Sequence, residues 1–219
     1  MNEKYSIAID GPAGAGKSTI AKEVAKRLCI EFVDTGAMYR ALTYKILKLS
    51  IDPNDYLGII EILTNTKIDF RNQSIYLDNV NVDKEIRENY VSQNVSYIAS
   101  IKEVREKMVQ LQQQMAKSKS IIMDGRDIGS VVLPNADYKF FVTASVKERA
   151  LRRYNELVNS GETNISLSKI ESDIIKRDNI DSNREIAPLK KVEDAYCIDT
   201  TDKTIEECVN MIVSIVLGR

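Results

Sequence analysis

Gly11-Pro12-Ala13-Gly14-Ala15-Gly16-Lys17-Ser18 fits G-x-x-x-x-G-K-[ST], with Thr19 next in line. Glycines at this spacing let backbone N–H groups converge on phosphate oxygens, and a helix opening behind them adds its N-terminal dipole. Lys17 is then the residue to reach the β- and γ-phosphates of a nucleoside triphosphate, and Ser18 the hydroxyl to hold Mg²⁺. A second cluster, Asp34-Thr35-Gly36-Ala37-Met38-Tyr39-Arg40, suggests a helix capped by Thr35 whose N-terminus, beside Arg40, holds another phosphate. A third, Met123-Asp124-Gly125-Arg126-Asp127-Ile128-Gly129, places Asp124 to hold Mg²⁺ through water and Arg126 to bridge phosphates. Asp127 could accept from the amino group of a base, as carboxylates do with cytosine. Taken singly, the second cluster also reads as a capped helix with a surface arginine, and the third as a structural Arg-Asp turn.

Arg149, Arg152 and Arg153, then Arg177-Asp178-Asn179-Ile180-Asp181-Ser182-Asn183-Arg184, supply cations late in the chain. Spacing of three to four puts Arg149 and Arg152 or Arg153 on one helix face. Alone, that is a solvated face. Beside a phosphate loop, arginines on a closing lid fit better, because phosphoryl transfer needs positive charge around three equatorial oxygens.

The 219 residues include no histidine, which excludes His general bases, His metal ligands and Ser-His or Cys-His nucleophile pairs. Any chemistry must use the remaining polar side chains, a metal or the substrate itself. A net charge of -1 provides no global field for polymeric nucleic acid or a membrane. Cys29, Cys197 and Cys208 are odd in number, far apart and set in apolar stretches, so buried, reduced thiols are expected, as in a reducing cytosol. The apolar run Tyr5 to Ile9 is too short for a signal-peptide core, and Val209 to Leu217 is too short to span a bilayer. A soluble cytoplasmic protein is expected.

These residues need a scaffold, and the apolar pattern supplies one. Ser6 to Asp10 reads as a buried strand running into the glycine loop, followed by a 3.6-period face at Ile20, Ala21, Val24, Ala25 and Leu28. Further strands are expected at Glu31 to Asp34, Ile121 to Asp124, Lys139 to Val142 and Tyr196 to Asp199. Helical stripes lie between them, at Met38, Ala41, Leu42, Ile46 and Leu49, and at Val104, Met108, Leu111 and Met115. Another, Val146, Ala150, Leu151, Tyr154 and Leu157, opens with Ser145 and Glu148 as a capping box and closes near Gly161. Thr204 and Glu207 repeat the capping box before Ile205, Cys208, Val209, Ile212 and Val216. Alternating strands and helices predict an α/β fold, a parallel sheet with helices on both faces. From Lys67 to about Val82 the pattern becomes two-residue alternation with turns at Asn72-Gln73 and Asp78-Asn79, a small antiparallel insertion followed by a helix.

Two patterns could suggest a GTPase, Asp55-Tyr56-Leu57-Gly58 (DxxG) and Thr66-Lys67-Ile68-Asp69 (TKxD). They stand too close for a βαβ crossover between them. They read instead as a helix segment and the start of the insertion.

Together the segments IAIDGPAGAGKST at 7 to 19, DTGAMYRA at 34 to 41, NVS and VRE around Ser96 and Arg105, DGRDIGSVVLPNAD at 124 to 137 and RDNIDSNREIAPL at 177 to 189 resemble the bacterial cytidylate kinases. These nucleoside monophosphate kinases phosphorylate CMP and dCMP, and the resemblance runs nearly end to end. It implies a P-loop NTPase-type three-layer fold with a five-stranded parallel sheet, a small antiparallel monophosphate-binding insertion and a helical lid. The whole chain, 1–219, would form a single kinase unit: core 1–64, 100–150 and 185–219, insertion about 65–99, lid about 151–184. Carried over, Ser96, Arg105 and Asp127 would read cytosine, and Arg177 and Asp181 would sit at the ribose or phosphate. Thr35, Gly36, Arg40, Arg126 and Arg184 would hold the acceptor, and Arg149 and Arg153 would meet ATP. Lys17, Arg126, Arg153 and Arg184 would be catalytic, with Mg²⁺ as cofactor, ATP and CMP or dCMP as partners, and a monomer as the working form. One departure is Gln112-Gln113, where relatives often have Gln-Arg, expected to alter helix packing or a peripheral contact.

Two rivals stand beside this reading. A P-loop kinase with another acceptor would be separated by a panel of monophosphates. A nucleotide-binding regulator would bind ATP without turnover and could lack the acceptor arginines. The near-zero net charge would conceal arginines at the phosphate sites, balanced by acidic helix faces elsewhere.

Overall fold

The computed structural model describes residues 4–218 other than 72, 160 and 164. The chain opens with β1 (Ser6–Asp10), α1 (Lys17–Leu28), β2 (Glu31–Asp34) and α2 (Thr35–Lys48). It continues with α3 (Tyr56–Thr64), β3 (Ile68–Arg71), β4 (Ser74–Leu77), β5 (Val80–Asn81), α4 (Asn89–Ile98) and α5 (Lys102–Ala116). Then follow β6 (Ile121–Gly125), β7 (Tyr138–Thr143), α6 (Val146–Asn159), α7 (Leu167–Asn183), β8 (Tyr196–Asp199) and α8 (Ile205–Leu217). All five strands expected for the main sheet are present, in the order β2-β6-β1-β7-β8. Central β1 runs parallel to both neighbours, and β7 runs parallel to β8.

The chain forms two compact units, one of residues 1–32 with 119–219 and one of residues 33–118. In the first, Ile7, Ile9, Phe140, Val142 and Ile198 of the sheet pack with Ile20, Ala21 and Val24 of α1 and Cys208, Val209 and Ile212 of α8. A fully buried aliphatic side chain contributes about 1.5–3 kcal/mol, so this layer fixes where the strands end. A smaller cluster, Ala150, Leu157, Ile170 and Ile174, holds α6 against α7. Leu151, counted in the apolar stripe, points to solvent, since α6 has only one helix to cover.

In the second unit α2 is the hub, with α3, α4, α5 and the three-stranded antiparallel sheet β3-β4-β5 around it. Its expected stripe is buried at Met38, Ala41, Leu42 and Ile46, whereas Leu49, past the last turn, is exposed. The two-residue alternation is realised as Ile68 opposite Leu77 and Phe70 opposite Ile75. Asp78 and Asn79 both take positive φ at the second turn, as short-loop hairpins favour. Of the first turn, Gln73 has φ 60°, while Asn72 lies outside the described residues. Both GTPase-like patterns dissolve: Asp55 caps α3 by accepting from the Gly58 N–H, and Thr66 and Lys67 lead into β3.

Other expectations are corrected. Thr35 is the first helical residue of α2, and Asp34 is the N-cap, its carboxylate accepting from the Ala37 N–H at 2.8 Å. The box at Ser145 is half made. Ser145 Oγ accepts from the Glu148 N–H, but the Ser145 N–H goes to Thr201 Oγ1 and Glu148 turns to Arg152. The box at Thr204 and Glu207 is complete. Of the cysteines only Cys208 is buried; Cys29 follows α1 in a left-handed conformation and Cys197 sits on edge strand β8, so both are exposed, and all three are free thiols. Among the described residues no helix is long and apolar enough to cross a membrane.

Candidate active site

In the first unit the charged groups stand after β1 and β6 and on α6 and α7. Gly11, Gly14 and Gly16 all have positive φ. A Cβ on Gly11 would lie 1.9 Å from the Val142 carbonyl oxygen, so only glycine lets the loop leave β1 this close to β7. Pro12, Ala13 and Ala15 are buried, while Ser18 and Thr19 open α1 on its exposed side. Lys17 is buried and its Nζ donates to the Pro12 carbonyl at 2.7 Å. Burial, and then the charge of Arg126, push its ammonium well below the usual lysine range, opposed by Asp124.

Ser18 Oγ donates to Asp124 Oδ2 at 2.5 Å, joining the start of α1 to β6. Two oxygen donors, one an acid, fit Mg²⁺, which keeps several waters and is completed by substrate phosphates. Among the described residues no group of three or more His, Cys, Asp or Glu is placed to hold a metal without such help.

Arg126 Nε donates to Asp181 Oδ2 at 2.9 Å, linking β6 to α7. Burial opposes the charge on each, yet the pairing wins: the Asp181 carboxyl lies below its ordinary 3.8, held there by Arg126, Arg177 and Arg184, and Arg126 is raised. Arg184 donates from Nη2 to Asp127 at 3.4 Å and from Nε to the Ala187 carbonyl at 2.7 Å. Arg149 is buried, its guanidinium donating to the Ala144 and Ala13 carbonyls and to Asp178. It therefore braces the glycine loop from α6. Arg153 pairs with Glu156 at the surface of the same helix. Arg177 is half-buried on α7, near enough to Asp181 to lower its pKa.

In the second unit Asp34 and Arg40 form a pair at 2.8 Å over the first turn of α2, with Thr35 buried behind. A Cβ on Gly36 would sit 3.1 Å from Arg40 Nη1, so the guanidinium lies close against the first turn of α2. Arg105 is buried on α5, donates to the Ala99 carbonyl at 3.0 Å and lies 5.5 Å from the Tyr39 ring centroid. Ser96 is buried on α4. Gln113 is exposed while Gln112 is buried, so the Gln-for-Arg difference falls on the solvent side of α5.

The sequence reading did not pair these arginines with the acids that hold them, Asp34 and Asp178, and it missed Thr200. Arg152 donates twice to Thr200, whose hydroxyl donates to the Ala15 carbonyl of the glycine loop. Nothing local marks Thr200, since its role depends on a loop 185 residues away. Four of the acids that offset the arginines sit directly beside them: Asp34, Asp127, Asp178 and Asp181.

A glycine loop at the carboxyl end of the central strand, with its lysine, its hydroxyl and an aspartate on the neighbouring strand, defines a P-loop phosphotransferase. The cytidylate kinase family model matches residues 7–217. The chain is 58% identical over 208 residues to a cytidylate kinase of Clostridioides difficile, covering 95% of this chain and 96% of that one. It is 54% identical over 216 residues to one of Alkaliphilus oremlandii, covering 99% of each. The protein belongs to the cytidylate kinase family. Among solved structures, a gluconokinase from Sinorhizobium meliloti shares the fold, with TM-score 0.53 at 11% identity over 98% of this chain and 92% of that one. An uncharacterised protein from Eubacterium ventriosum gives 0.56 at 14% over 99% and 100%.

Proposed function

We propose that the protein transfers the γ-phosphoryl group of ATP to the phosphate of CMP or dCMP, releasing ADP and the nucleoside diphosphate. The observation that carries this reading is the family match over 7–217, which takes in the glycine loop and the DGRD and RDNIDSNR segments together. The Gly11 to Thr19 loop binds the ATP phosphates, Lys17 offsets charge on the migrating group, and Arg149 and Arg153 serve the donor from α6. Thr35, Gly36, Arg40, Arg126 and Arg184 hold the acceptor phosphate; Arg177 and Asp181 stand at its ribose or phosphate; Ser96, Arg105 and Asp127 read cytosine. Arg126, Arg153 and Arg184 share catalysis with Lys17 by neutralising the transferred group.

Ser18, and Asp124 through water, would hold Mg²⁺, which would supply positive charge to the phosphates during transfer. The acceptor, a phosphate monoester with a second pKa of about 6, is largely dianionic at neutral pH. No side chain has to deprotonate it, in keeping with a chain without histidine. The α6–α7 pair acts as the lid, excluding water that would otherwise hydrolyse ATP. The enzyme works as a cytoplasmic monomer.

The test is ADP formation from MgATP with CMP, dCMP, UMP or AMP as acceptor. CMP and dCMP should support turnover well above the rate without acceptor. If ADP appears no faster with CMP than without it, the reading is wrong, and if AMP or UMP is preferred, the rival acceptor takes its place.

A further inference from the structure

Asp10, the last residue of β1, has no part in the roles above, yet it is buried and its carboxylate is fully engaged. Oδ1 accepts from the Ile128 N–H and Oδ2 from the Gly129 N–H, each at 2.8 Å. Those two amides open the helical turn Ile128–Val132, in which Val131 and Val132 return their N–H groups to the Asp127 carbonyl. The first N–H groups of a helical turn have no partner within it. Aspartate in the cap position normally supplies one from its own side chain. Asp127 occupies the cap position here and makes no such bond; its carboxylate meets Arg184 instead.

We propose that Asp10 is a positioning residue for the acceptor base, capping the turn from the neighbouring strand so that the Asp127 carboxylate is released from capping and can face cytosine. The proposal rests on the reading of Asp127 as a base reader. The fit is close: a Cβ on Gly129 would lie 3.4 Å from Asp10 Oδ2 and 3.3 Å from Lys139 Cδ. Asp10 also immediately precedes Gly11, so one residue ties the donor loop's strand to the turn that carries Arg126 and Asp127. Without its carboxylate, two buried N–H groups lose their acceptor, and Asp127, at the cap position, is of the residue type that takes such N–H groups.

The experiment compares wild type, Asp10→Asn and Asp127→Ala in steady-state kinetics with CMP and UMP at saturating MgATP, with backbone amide exchange of Ile128 and Gly129 read by NMR. Asparagine keeps the shape but has one acceptor oxygen for two N–H groups. In Asp10→Asn the ratio of kcat/KM for CMP over UMP should fall about tenfold, through KM for CMP, approaching Asp127→Ala, with KM for ATP changed less than about twofold. Exchange at one or both amides should quicken. An unchanged CMP to UMP ratio in folded Asp10→Asn, or an equal loss in KM for ATP, overturns the proposal. Should that variant fail to fold, Asp10→Glu, which keeps both acceptor oxygens but moves them by one methylene, takes its place, and an unchanged ratio there overturns the proposal as well. A wild type that does not prefer CMP to UMP sinks the base-reader assignment instead, and quickened amide exchange in Asp10→Asn would then still support the capping role.

Discussion

Lys17 lies buried with its ammonium on a backbone carbonyl and Arg126 near enough to depress its pKa, so the charge is held at a cost that an arriving phosphate relieves. That makes it a residue whose effect grows as charge develops on the transferred group. Replacing Lys17 with Ala should lower kcat about 100-fold or more, as loss of a preorganised donor does, with KM for CMP changed less than about threefold. Steady-state kinetics with MgATP saturating would measure both, and a rise in KM for CMP at unchanged kcat would assign Lys17 to acceptor binding. Residue types were the most legible level of the sequence: G-x-x-x-x-G-K-[ST] carried Lys17, Ser18 and the glycines without help. The ion pairs of the arginines were not, because Asp178 meets Arg149 and Asp181 meets Arg126 across 29 and 55 residues, and no local pattern records such pairs.

At the scale of elements, the five strands were readable because each is a short apolar run bounded by Gly, Asp or a helical period. Caps were less so. Asp34 outcompeted Thr35 by one position, a difference within the ordinary uncertainty of helix ends, and Ser145 lost half its box to Thr201 on a distant loop. The cap of the turn after β6 was not foreseen, since Asp10 supplies it from another strand. Where a cap is wholly local its value can be stated. Thr204 accepts from the Glu207 N–H while Glu207 accepts from the Thr204 N–H, and α8, which they open, packs on α1 behind the glycine loop. Thr204→Ala should cost about 1 kcal/mol and lower Tm by about 2–4 °C for a chain of this size. Thermal unfolding followed by circular dichroism would show it, and an unchanged Tm would mean that packing alone holds the helix start.

For the whole molecule, a net charge of -1 hides opposed pairs: Arg40 with Asp34, Arg126 with Asp181, Arg149 with Asp178 and Arg184 with Asp127. Two buried acids, Asp181 and Asp10, give stability opposite dependences on pH. Asp181, held below 3.8, contributes stability that is present above pH 3.8 and lost as pH falls through its lowered value. Asp10 is raised from 3.8 to about 6, because burial outweighs the two N–H bonds that it accepts. Its contribution is therefore fully present below pH 3.8 and lost as pH rises through about 6, a swing of about 3 kcal/mol. Asparagine at position 10 cannot ionise and should not follow that swing. Between pH 4.5 and pH 7.5, unfolding free energies from urea titrations should therefore shift by about 2 kcal/mol in favour of Asp10→Asn relative to wild type. A difference that stays constant across that range would mean the Asp10 carboxyl titrates at its ordinary value, with the two N–H bonds fully offsetting its burial.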